Sequence, residues 1–71
     1  SLKPSLLHDI KSPLTAAKLG LSLLRAELDE KFSSELEDEK VKEIFSVLSS
    51  IESRINQTVD LLQTNRSLFE E

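Results

Sequence analysis

The apolar residues of this chain recur at alternating steps of three and four, and that spacing narrowly limits what it can fold into. In the first half they fall at Leu7, Ile10, Leu14, Ala17, Leu21, Leu24 and Leu28. In the second half the same row runs through Val41, Ile44, Leu48, Ile51, Ile55, Thr58 and Leu62. Steps of three and four return to one side of a helix, so each half reads as a helix with one seam. A half-buried strand would alternate at every second residue, which neither half does. A single Gly and two Pro leave few points where the chain can break.

The break between the halves falls near Lys31 to Ser34. Ser34 with Glu37 has capping-box spacing, and Glu35, Glu37, Asp38 and Glu39 suit the positive end of a helix dipole. Glu27 with Lys31 and Asp38 with Lys42 are spaced as helix-supporting ion pairs. The reading is one domain over 1–71, with a helix over about 3–31, a turn over about 32–34 and a helix over about 35–67. A connection that short folds the two helices into an antiparallel hairpin.

A hairpin needs one seam per helix, and the second helix offers more. Phe45 and Val59 flank its seam on one side, Val47, Leu61 and Leu68 on the other. A face that wide packs against more than one neighbour. A chain of 71 residues without cysteine has no disulfide to enlarge its small core. The expected fold is therefore all-α, an antiparallel two-helix hairpin that dimerises into a four-helix bundle.

Other classes fit poorly. One His and no Cys give no zinc site of the usual ligand count, and no metal-binding residues are expected. The net charge of −4 and the lack of a basic stripe argue against nucleic acid as a partner. No apolar run reaches membrane-spanning length, so direct membrane insertion is not expected. The chain starts at Ser1, which suggests an excised piece of a longer protein whose membrane tethering stays open.

The only His, His8, lies one step round from the seam, on a polar surface with Lys11, Ser12 and Thr15. Its sequence neighbourhood is distinctive. His8, Asp9, Ile10, Lys11, Ser12, Pro13 and Leu14 run as His, acid, apolar, basic, small hydroxyl, Pro, Leu. This stretch resembles the H-box of sensor histidine kinases, the phosphoacceptor site of their dimerisation and histidine-phosphotransfer domain. The resemblance covers essentially the whole chain, with the specific residues confined to the first helix. It implies a dimeric bundle of two-helix hairpins, in agreement with the periodicity.

The chemistry fits the residue types. A phosphoacceptor imidazole must be exposed and neutral, and a neighbouring carboxylate can hold its opposite N–H and stabilise developing charge. The resemblance gives those roles to His8 and Asp9. Ser12, one turn on, stands where the family places a residue that positions water for phosphatase chemistry. Thr or Asn is usual there; Ser departs from that but keeps a hydroxyl. Pro13 withdraws a partner from the carbonyl of Asp9, so a kink or loosening is expected beside His8. In the family such bending is linked to switching. Lys11 suits a phosphate or an acidic partner surface, and an ordinary solvated lysine is an equally good account.

Ala16, Leu19 and Leu23 form an apolar group off the seam, just below His8. The resemblance places the docking of a response-regulator receiver domain there. No Gly-rich loop or other nucleotide-binding element occurs in the chain, so ATP and Mg are expected on a separate catalytic domain of the same protein. The expected activity is that of the phosphoacceptor part of a histidine protein kinase in the cytoplasm. His8 takes the γ-phosphoryl group of ATP and passes it to a response-regulator aspartate. Two alternatives stand beside it: a histidine phosphotransfer protein without kinase activity, and a purely structural helical dimerisation module.

Overall fold

The computed structural model describes residues 2–69. They form two long α-helices and a short 3-10 turn, with no strand among the described residues. Helix α1 spans Pro4–Lys31 and helix α2 spans Glu39–Thr64; η1, the 3-10 turn, spans Arg66–Phe69. The two helices fold back along each other into an elongated hairpin of 53 × 16 × 11 Å.

Helix α1 starts on a proline, which has no N–H to leave unsatisfied at a first-turn position. It runs on through Pro13 and ends where the Phe32 N–H donates to the Leu28 carbonyl at 2.9 Å. The connection is longer than the sequence suggested, occupying 32–38 rather than 32–34. Two successive turns fill it: the Glu35 N–H donates to the Phe32 carbonyl, and the Asp38 N–H to the Glu35 carbonyl. The expected capping box at Ser34 and Glu37 does not form.

Asp38 caps α2 instead, its carboxylate accepting from the Lys40 N–H at 2.8 Å and the Val41 N–H at 3.2 Å. A carboxylate oxygen that takes two helix-terminal donors outcompetes a hydroxyl four residues earlier. With the Asp38 carboxylate so used, Lys42 turns to Glu37 at 3.4 Å and Glu39 at 3.8 Å rather than to Asp38. At its other end α2 stops at Thr64, three residues before the expected end, and the 3-10 turn follows.

Packing between the helices differs from the expected seam in an instructive way. Along α2 the buried or half-buried positions are Val41, Phe45, Leu48, Glu52, Ile55, Val59 and Leu62. Ile44, Ile51 and Thr58 are exposed. The row facing α1 is thus turned by one residue at every second position. Val41, Leu48, Ile55 and Leu62 are shared between both rows. Along α1, Leu7, Leu14, Leu21 and Leu28 hold the shared role, while Arg25 is half-buried and Leu24 exposed. The face was read as wider than one seam, and α1 takes only one edge of it. Phe45 and Val59 lie on the edge that packs; Val47, Leu61 and Leu68 lie on the edge left open.

The inner row contains one charged bridge. Arg25 Nε donates to Glu52 Oε1 at 2.9 Å, and Arg25 Nη2 donates to the same oxygen at 2.6 Å and to Ser49 Oγ at 2.8 Å. The guanidinium also lies 5.9 Å from the centre of the Phe45 ring, within cation–π range.

Burial is sparse. Among the described residues only Val41, Leu48 and Phe69 are buried, and α1 buries no residue fully. Leu21, Leu24, Leu28, Ile44, Val47, Leu48 and Ile51 line an apolar groove along one side of the hairpin. Leu24, Ile44, Val47 and Ile51 are each at least two-fifths exposed in the single chain.

Candidate functional site

One helical turn from the start of α1, the side chain of His8 stands out from the hairpin, 84% exposed. Its position follows from the heptad. Leu7 leans toward α2, so the next residue is rotated by about 100° toward water. Residues three, four and seven positions on share that side of the helix. Accordingly, His8, Lys11, Ser12 and Thr15 line one open groove, together with Pro4, Leu7, Ala16 and Leu19.

The structure therefore brings five of the sequence-predicted residues to one surface: His8, Lys11, Ser12, Ala16 and Leu19. Leu23 does not line that groove; it lies a further helical turn along and is well exposed. Lys11 is half-buried. Pro4 and Leu7 complete the groove. The first precedes His8 by four residues and the second belongs to the seam, so the motif itself points to neither. The step of minus four from His8 was the signal available for Pro4.

Asp9 occupies a different side. It borders a second shallow groove with Leu2, Lys3, Ser5 and Leu6. Its Oδ1 nevertheless lies 3.7 Å from His8 Nδ1, and its side chain is 72% exposed. That separation exceeds a hydrogen bond.

Pro13 sits one turn beyond Asp9. Its missing N–H withholds the helical partner of the Asp9 carbonyl, so the turn carrying His8 and Asp9 has one hydrogen bond fewer than its neighbours. The helix stays continuous across this point.

Among the described residues, no group of three or more His, Cys, Asp or Glu side chains is placed to hold a metal ion. No helix among them is long and apolar enough to cross a membrane. Comparison of the chain with protein-family models finds no match, and neither do comparisons with curated proteins and with solved structures.

Proposed function

We propose that this chain is the dimerisation and histidine-phosphotransfer module of a two-component sensor histidine kinase, with His8 as its phosphoacceptor. The observation that carries the reading is the His8-to-Leu14 motif, set so that His8 stands bare on a helix whose other side closes a hairpin. An exposed imidazole can meet an incoming phosphorus without any rearrangement of the hairpin.

In this reading a His8 ring nitrogen attacks the γ-phosphorus of ATP. A P–N bond forms as the P–O bond to ADP breaks, and the proton on the opposite ring nitrogen is shed toward Asp9 or water. The P–N bond is later broken by an aspartate carboxylate of a response-regulator receiver domain, which takes the phosphoryl group. ATP and Mg belong to a separate catalytic domain of the same protein, so the fragment is substrate and relay. By the resemblance, Ser12 is the candidate to hold water for removal of phosphate from the regulator. Lys11, Ala16 and Leu19 offer the receiver domain a surface bordering His8, with Leu23 extending it. Pro13 is the point where α1 bends between signalling states.

The exposed groove of Leu24, Ile44, Val47 and Ile51 supports the second half of the proposal, a homodimer. A second hairpin laid on that groove completes a four-helix bundle and removes these side chains from water, at about 25 cal/mol per Å² of apolar surface. Within a cell the proposed place is the cytoplasm, with the longer parent free to be membrane-anchored.

The test is phosphotransfer to the chain from ATP with the parent's catalytic domain supplied in trans, the product being mapped by mass spectrometry at alkaline pH. The expected result is an acid-labile phosphoryl group on His8 that is lost in His8→Gln. A dimer that takes no label from an ATP-binding catalytic domain would reject the kinase reading. Weight would then move to a phosphotransferase or a purely structural module.

A further inference from the structure

Phe69 is as deeply buried as Leu48 at 5% exposed, although it lies outside both long helices. In sequence it stands seven residues after Leu62 and so continues the row Val41, Leu48, Ile55, Leu62. The chain reaches that place by a different route. Asn65 ends α2, with its backbone N–H and its side-chain Nδ2 both donating to the Leu61 carbonyl, at 3.0 and 2.8 Å. The following residues tighten into a 3-10 turn, where the Leu68 N–H donates to the Asn65 carbonyl at 3.0 Å. That turn packs against both helices. Leu68 itself is left 55% exposed, but its carbonyl accepts the Leu2 N–H at 2.6 Å.

The backbone just ahead of α1 is therefore tied to the backbone just after α2. The start of α1 has little support of its own. Lys3, at the cap position, provides no side-chain acceptor, and no acidic residue lies in the first turn. Pro13 removes a further bond two turns on. His8 sits between these two weak points.

We propose that the Arg66–Phe69 turn is a latch on the His8 end of α1. With Phe69 seated and Leu68 holding Leu2, the first turns of α1 are fixed and His8 keeps a set position relative to α2. With the latch released, those turns fray while the rest of the hairpin, held by Asp38 and the Arg25–Glu52 bridge, stays formed. This inference stands on packing and hydrogen bonding alone and holds whatever chemistry His8 performs.

Amide hydrogen exchange on the full 71-residue chain tests it. Phe69→Ala empties the seat, and Leu2→Pro removes the donor without touching the core. Phe69→Leu partly refills the seat, and Leu68→Ala alters only an exposed side chain. The expected result is a loss of protection, roughly tenfold or more, at the amides of His8 to Ser12 in Phe69→Ala, with Lys42 to Ser50 unchanged. Leu2→Pro gives a smaller loss at the same amides. Phe69→Leu recovers most of the protection, and Leu68→Ala matches the parent. Unchanged protection at His8 to Ser12 in both Phe69→Ala and Leu2→Pro would overturn the latch. So would an equal loss along both helices in Phe69→Ala without a local loss in Leu2→Pro, because Phe69 would then be an ordinary core residue.

Discussion

Replacing Arg25 with methionine would strip a forked donor from the middle of the interhelical seam while preserving most of its aliphatic bulk. Glu52 would lose two hydrogen bonds, at 2.9 and 2.6 Å, Ser49 would lose one, and Phe45 would lose its cation. The Arg25 and Glu52 side chains are 33% and 27% exposed, between the two regimes for which ion-pair energetics are known. Exposed pairs contribute ~0–1 kcal/mol, whereas removing one partner of a fully buried pair costs ~3–5 kcal/mol. Because water still reaches both groups, the expected cost of Arg25→Met is about 1–2 kcal/mol. Glu52→Leu should cost a similar amount, leaving Arg25 half-buried without its carboxylate.

The double variant Arg25→Met/Glu52→Leu is the informative one. It places two apolar residues opposite each other in a seam already lined by Leu21, Leu28, Leu48 and Ile55, so its stability should lie within ~1 kcal/mol of the parent or above it. Urea unfolding followed by circular dichroism measures all four proteins. Protein concentration must be held constant, since any self-association adds to apparent stability. Single replacements that each cost less than ~0.3 kcal/mol, or a double replacement that costs the sum of the two singles, would refute this coupling. The pair would then be a surface contact without coupling.

Three further outcomes follow from named contacts. Asp38→Ala removes the acceptor of the Lys40 and Val41 amides and should lower stability by ~1 kcal/mol, with faster hydrogen exchange confined to the first turn of α2. Gly20→Ala adds a Cβ with no atom within 4 Å in mid-helix and should raise stability by up to ~1 kcal/mol in the same urea assay. Ile51→Lys sets a charge in the apolar groove; if a second hairpin covers that groove, light scattering should show a dimer become a monomer with helical content largely kept.

The separation between what was legible and what was not follows the range of the forces involved. Helix identity came through because α1 and α2 are set by local periodicity, and the face carrying His8, Lys11, Ser12, Ala16 and Leu19 is fixed by helix geometry alone. The start of α2 was misplaced because Ser34 and Asp38 both fit cap chemistry, and only the turns through Phe32, Glu35 and Asp38 decide between them. Leu23 shares a side of the helix with Ala16 and Leu19, whereas the groove beside His8 ends at Leu19.

By itself, then, the sequence determined two helices, a reversal between them, an apolar face too wide for one neighbour and a lone His displayed on the polar side. Each depends on residues within a few turns of one another. Tertiary structure alone decided which edge of the wide face meets α1, that Arg25 reaches Glu52 across 27 residues of chain, and that Phe69 is buried in a turn packed on both helices. Those outcomes depend on how two helices rotate and slide against each other. Rows of similar apolar residues leave that choice nearly degenerate, so local spacing does not fix it.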